Sequence, residues 1–321
     1  MAPPVLTRRQ VLVKGIVGMA GLMAAPAARA AAPGAAASTT PAAGTLRIGG
    51  DLTVNRLGFG AMRITGPGIW GEPKEPAAAR TVLRRAVELG VNFIDTADAY
   101  GPRVSEQLIA EALYPYPPGL VIATKGGLTR PGADQWIADG RPEHLREACE
   151  DSLRRLRLER IDLYQFHHID PYVVLEYSIE ALAELQRAGK IRHIGVSNFN
   201  TSELARARRI APIVSVQNRY NLTDRRSDEV LGVCARDGLA FIPWAPIAGG
   251  SGDRLESRAS QAVEAAARAH GVSVLQIAIA WLLGKSPAML PIPGTSSLAH
   301  LEQNVAAASV RLSAAELAAI G

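Results

Sequence analysis

The chain has 321 residues, 35 of them Lys or Arg and 30 Asp or Glu, for a formal charge of +5. That length suits one large α/β barrel or two ordinary domains, and a 48% hydrophobic content supplies a sizeable core. Four cations (Arg8, Arg9, Lys14, Arg29) lie in the first 30 residues, which hold no acid; taking those four from 35 leaves 31 against 30 acids, so charge does not support nucleic-acid binding.

The N-terminal segment has three parts. Thr7 to Lys14 carries Arg8-Arg9, Ile16 to Ala25 is a mild apolar run too short for stable membrane insertion, and Ala28-Arg29-Ala30 has the form of a cleavage site. Residues 1–30 therefore resemble a twin-arginine (Tat) signal peptide, against an alternative of an alanine-rich tail. The expectation is passage through the Tat translocon to an extracytoplasmic location, or a cytoplasmic one if the signal is not used. Residues 31–44 are rich in Ala, Pro, Ser and Thr and read as a flexible linker. The folded domain is expected over 45–321. Its two cysteines, Cys149 and Cys234, have neither metal nor disulfide-framework spacing.

Thr45 to Val54 reads as a hairpin turning at Gly49-Gly50-Asp51. A first strand follows over Leu57–Met62, then a helix over Glu75–Gly90. Val91–Asp95 is a short apolar run ending in a carboxylate, with Tyr100 in the loop beyond. The chain then alternates. Helix 104–113 precedes strand 120–125, helix 142–156 precedes strand 161–167, and helix 173–188 precedes strand 193–197. Helix 202–210 precedes strand 213–217, and helix 227–236 precedes strand 239–244. Helices 257–269 and 273–283, strand 288–292 and helix 298–307 complete it. Eight strand-then-helix units predict an α/β fold, a (β/α)₈ barrel with an N-terminal hairpin. The rival is a doubly wound sheet. Its G-x-G-x-x-G fingerprint fails here, because Gly58-Phe-Gly60 is followed by Ala-Met-Arg.

In such a barrel, consecutive strand ends meet at one mouth. Asp95, Tyr100, Lys125 and His167 all fall at strand ends or just beyond. The set suits carbonyl reduction, in which a hydride reaches carbon while oxygen takes a proton. A free phenol, with a pKa of about 10, is a slow acid at neutral pH. An ammonium at Lys125 is expected to bring it toward working pH, with Asp95 holding Lys125 and His167 orienting the carbonyl oxygen. The blander readings are a helix-capping Asp95, a packing Tyr100 and a surface Lys125. His168 competes with His167.

Six motifs recur in order from Leu46 to the C-terminus: Asn92-Phe-Ile-Asp-Thr-Ala-Asp-Ala-Tyr-Gly101, Ile122-Ala-Thr-Lys125, Asp162-Leu-Tyr-Gln-Phe-His167, Ile194-Gly-Val-Ser-Asn198, Val216-Gln-Asn-Arg-Tyr-Asn221 and Pro291-Ile-Pro-Gly-Thr-Ser296. With them the chain resembles an aldo-keto reductase. The segments Arg56–Gly68 and Glu111–Tyr116 are most similar to the bacterial pyridoxal reductase branch. The resemblance implies a catalytic tetrad of Asp95, Tyr100, Lys125 and His167, the first histidine of its pair. It also implies a nicotinamide cofactor and a small-molecule carbonyl substrate.

By the same resemblance, Ser197, Asn198 and Gln217 would meet the carboxamide and Trp244 the nicotinamide face, unless Trp244 is a core residue. Pro246, Ile247 and Gly249 would run along the pyrophosphate. Gly294, Thr295 and Ser296 would form the 2′-phosphate turn with Ser297, and His300, Gln303 and Asn304 would lie toward the adenine, the last two alternatively on a solvated helix face. Gly294 stands where relatives have a basic residue, and His300 where they have an arginine. The cofactor expectation is therefore NADPH, with NADH not excluded. Trp70 and Trp136 are expected as apolar walls suited to an aromatic aldehyde. A different class remains open: a regulatory, redox-sensing or cofactor-binding subunit built on the same barrel.

Overall fold

The computed structural model describes residues 43–247 and 257–321; the leader read over 1–30, most of the 31–44 linker and Gly249 lie outside the described residues. Two short strands, β1 (Thr45–Ile48) and β2 (Leu52–Asn55), form the expected antiparallel hairpin. The parallel sheet takes β3 (Phe59–Gly60), β4 (Phe93–Asp95) and β5 (Val121–Gly126). It continues, after a small hairpin of β6 (Leu128–Thr129) and β7 (Ile137–Ala138), with β8 (Ile161–Phe166), β9 (Ile191–Ser197), β10 (Ile213–Gln217) and β11 (Ala240–Phe241). Its order is β11-β10-β9-β8-β5-β4-β3, so neighbours in the sheet follow one another along the chain.

The expected eighth strand, 288–292, closes this sheet into a barrel without forming a full ladder. The amide of Phe241 donates to Ala288 O (2.8 Å) and that of Leu290 to Phe241 O (2.9 Å), while the amide of Gly58 donates to Pro291 O (2.9 Å). Pro291 and Pro293 have no N–H to contribute, which is why regular pairing stops there. The strand read over 57–62 is likewise short, because Ala61–Ile64 turn into a 3₁₀ helix.

The helices are α1 (Pro76–Glu88), α2 (Val104–Leu113), α3 (Pro142–Leu156), α4 (Leu175–Arg187), α5 (Thr201–Arg208), α6 (Asp228–Asp237), α7 (Ser257–His270), α8 (Val274–Lys285), α9 (Leu298–Ala306) and α10 (Ala314–Ile320). The last was not anticipated. Their ends follow local chemistry. Proline opens α1 and α3, and capping boxes (Asn200/Glu203, Ser273/Gln276, Ser313/Glu316) open α5, α8 and α10. Among the described residues no single helix is long and apolar enough to cross a membrane.

Strands of a parallel barrel are covered on both faces, so their sequences are apolar throughout. The inward face carries Phe93, Val121, Ala123, Leu163, Ile242, Leu290 and Ile292, and the hairpin adds Ile48, Leu52 and Val54 to the same cluster. The hairpin thus plugs one end of the barrel, each of those three side chains contributing about 1.5–3 kcal/mol by burial. With that end filled by hydrocarbon, the polar residues at the carboxyl ends of the strands gather at the other. Cys149 and Cys234 are free and buried on the helical side, where burial pushes both thiols up to about 12.

Candidate functional site

The parallel register sets the site. Asp95 ends β4, Lys125 and Gln165 are paired across β5 and β8, and Gln217 ends β10. His167 follows β8 directly, and the turn after β4 returns Tyr100 toward them. The Lys125 ammonium is fully buried. It donates to Asp95 Oδ1 (2.6 Å), to the Thr96 carbonyl (2.8 Å) and to Tyr100 Oη (3.4 Å), which uses its three protons. The second oxygen of Asp95 accepts from Gln165 Nε2 (2.9 Å) and Gln217 Nε2 (2.8 Å). Both oxygens of Asp95 are therefore engaged, one of them by Lys125. The structure brings Asp95, Tyr100, Lys125 and His167 together, and adds two glutamine supports that the sequence does not signal.

The ring of His167 stands edge-on to Tyr100, centroids 5.8 Å apart. Burial, Lys125 and His168 hold its pKa well below the ordinary range, so the ring is neutral through physiological pH. Its Nδ1 is buried with no hydrogen-bond partner among the described residues, and the residue lines the cleft described below. His168, by contrast, is exposed and turned to the Ile169 carbonyl. Burial raises the Tyr100 phenol above its ordinary value, and Lys125 offsets this only in part. The expected depression of that pKa is thus overturned, because desolvation of the phenolate outweighs the nearby charge. For Lys125 the balance goes the other way: burial lowers its pKa, but Asp95 and Tyr100 together hold it above the ordinary value.

A cleft of about 670 Å³ runs from Tyr100 and His167 past Ser197, Asn198, Gln217, Trp244, Pro246 and Ile247 to Gly294, Thr295, His300 and Asn304. Several of these are already tied to one another. Ser197 Oγ donates to Gln217 O (2.8 Å), Asn198 Nδ2 donates to His167 O (3.1 Å), and Trp244 Nε1 donates to Asn198 Oδ1 (3.0 Å). The backbone of Asn198 is left-handed (φ 63°), a conformation asparagine tolerates. Gln217 commits its amide nitrogen to Asp95 and Gln165, leaving only its oxygen for a ligand. Ser296 lines an adjoining cavity rather than this cleft. Gln303 is exposed and lines neither, as expected of a solvated helix face.

One wall of the cleft is formed by Trp136, 6.3 Å from the Tyr100 ring and edge-on to it. The other expected wall, Trp70, does not line the cleft; it packs instead on Arg130. The Arg130 guanidinium is held 3.5 Å from the centre of the Trp136 ring, and donates to the carbonyls of Gly68, Ile69, Ala99 and Ala133. It binds the β3–α1 loop and the β6–β7 hairpin to the residue preceding Tyr100. A lone arginine in a loop carries no local sequence signal, so the place of Arg130 is visible only in the structure.

Among the described residues no group of His, Cys, Asp or Glu could hold a metal ion. A buried ammonium, a phenol, a neutral imidazole and a long cleft with polar groups at both ends form a site for proton transfer beside an extended ligand. The Aldo/keto reductase family matches residues 56–321. An uncharacterized oxidoreductase of Schizosaccharomyces pombe is 48% identical over 271 residues, covering 84% of this chain and 87% of that protein. The pyridoxine 4-dehydrogenase of Escherichia coli is 44% identical over 270 residues, covering 82% and 93%. Among solved structures, an aldo-keto reductase from Klebsiella pneumoniae in complex with NADPH superposes with a TM-score of 0.72 at 28% identity, covering 86% of this chain and 93% of that one. The motifs, the barrel and these matches agree: the chain belongs to the aldo/keto reductase family.

Proposed function

We propose that the chain is an NADPH-dependent reductase of aldehydes or ketones, with Tyr100 as general acid and a pyridoxal-like aromatic aldehyde as the preferred substrate class. The observation that carries the reading is the buried Asp95–Lys125–Tyr100 chain of contacts opening on a cleft that His167 also lines. The residues present fit a dinucleotide: the cleft is long, with an indole and amides at one end and a hydroxyl-bearing turn before α9 at the other. NADPH supplies the hydride when bound. Tyr100 gives its Oη proton to the substrate oxygen, and the ammonium of Lys125 stabilises the phenolate left behind. His167, neutral, orients that oxygen by a hydrogen bond. Asp95, Gln165 and Gln217 hold Lys125 in place. Trp136 shapes an aromatic wall, and the pyridoxine 4-dehydrogenase relative supports the aldehyde class.

The test is a panel of pyridoxal-like, benzylic and aliphatic carbonyls, followed by loss of reduced-nicotinamide absorbance and by alcohol formed. Stoichiometric conversion with the highest kcat/KM for the pyridoxal-like members is expected. Cofactor binding without turnover of any of them would overturn the reading and favour a redox-sensing subunit.

We further propose that residues 1–30 are a Tat leader and 45–321 the exported barrel, on the strength of Arg8-Arg9 and Ala28-Arg29-Ala30. Cell fractionation should find a form cut near Ala30 outside the cytoplasm, and an uncut cytoplasmic form when Arg8 and Arg9 are both changed to Lys. A native protein that is never cut would end this proposal.

A further inference from the structure

We propose that Arg63 supplies the cation for the 2′-phosphate of NADPH, in place of the side chain that Gly294 lacks; the inference rests on the NADPH reading above. Gly294 is bare for a structural reason. A Cβ there would run into the carbonyl oxygen of Gly60, because the end of β3 closes against the segment 288–294. No residue with a side chain fits without moving backbone. The stem of Arg63 passes over the same place: its Cγ lies 3.7 Å from where that Cβ would be. A charge that cannot be mounted on Gly294 is thus delivered from the neighbouring strand's loop.

Arg63 lines both the long cleft and the adjoining cavity of about 600 Å³, which it shares with Thr295, Ser296, Lys74 and Glu75. It is exposed and makes no hydrogen bond or ion pair among the described residues. Arg85, Arg155 and Arg192 are all engaged by carboxylates. Arg63 thus has a guanidinium with no partner among the described residues, and its planar fork matches two oxygens of a phosphate. Opposite it, Ser297 caps α9 by accepting from the His300 amide (3.4 Å), and Thr295 Oγ1 accepts from the Ser297 amide (3.0 Å). The hydroxyl protons of Thr295 and Ser296 stay available to an anion. The helix end adds a partial positive charge. Lys74 stands on the rim as the weaker candidate.

Dissociation constants for NADPH and NADH, measured by titration calorimetry on the full chain, decide the matter for wild type, Arg63→Ala, Arg63→Lys and Lys74→Ala. Loss of a charged hydrogen-bond pair at a solvent-exposed site should weaken NADPH about tenfold in Arg63→Ala. NADH should stay within about twofold by the same reasoning. Arg63→Lys should recover part of the loss, and Lys74→Ala should cost less than Arg63→Ala. Adenosine 2′,5′-bisphosphate, which carries the phosphate without the nicotinamide, should follow NADPH, while adenosine 5′-monophosphate should not respond. An Arg63→Ala protein that keeps the full NADPH preference overturns the assignment and leaves the cofactor reading standing, as does equal weakening of both cofactors. A wild type with no preference between them overturns the NADPH reading and the assignment with it. Should the alanine variant fail to fold, the lysine variant and Arg63→Gln carry the same comparison.

Discussion

Replacing Tyr100 by phenylalanine is expected to lower carbonyl reduction by about 10²–10⁴-fold while the cofactor still binds. The phenol faces the cleft as a neutral proton donor backed by a cation: Lys125 Nζ is 3.4 Å from its oxygen. The ring itself packs edge-on to Trp136 and His167, and phenylalanine preserves those contacts. Single-turnover measurement separates chemistry from binding. Reduction within about tenfold of wild type would refute Tyr100 as the acid, since general acids contribute more than that. The raised pKa of Tyr100 adds a pH signature. Reduction needs the protonated phenol, so its rate should hold through neutral and mildly alkaline pH and fall only above the ordinary tyrosine value of 10.0. The reverse oxidation needs the phenolate and should rise with pH over the same interval. An oxidation rate independent of pH would contradict this assignment.

Changing Lys125 to methionine is expected to harm both stability and chemistry. The ammonium is wholly buried and uses its three protons on Asp95, Thr96 and Tyr100. Its removal leaves the carboxylate of Asp95 buried with only two glutamine amides. Breaking a buried pair from one side costs about 3–5 kcal/mol, which for a domain of this size lowers Tm by roughly 10 °C. The double variant Lys125→Met with Asp95→Asn removes the stranded charge and should regain part of that loss without regaining activity. Because the folded pKa of Lys125 is raised above 10.5, its stabilisation is complete below the unfolded lysine value and is lost as pH climbs through the folded one. Wild type should therefore lose this contribution only at strongly alkaline pH, and the methionine variant should show no such loss. Thermal melts from pH 7 to 11 test it; a single variant melting within a degree or two of wild type would show that the pair does not hold the site.

The barrel and the meeting of Asp95, Tyr100, Lys125 and His167 at one end of it were legible in the amino-acid order because each rests on local signals. Apolar runs separated by helical periodicity mark the strands, and Asp95, Lys125 and His167 stand at or just past their carboxyl ends, where a barrel must bring them together. The helical patterns over 104–113 and 142–156 likewise match the observed bounds of α2 and α3. What tertiary structure alone decided involves approaches between distant segments. The carboxylate of Asp95 chooses Gln165 and Gln217 as partners only once β8 and β10 lie around it. The direction of the Tyr100 pKa depends on how completely the loop is buried, and no spacing encodes burial. Arg130 gains its meaning from four carbonyls on separate turns. Gly294 read as a missing cation, yet it is bare because Gly60 crosses beside it, and the same crossing carries Arg63 to its place. Sequence periodicity sets which face of each element is buried; it holds no information on which side chains meet across the seam where the barrel closes.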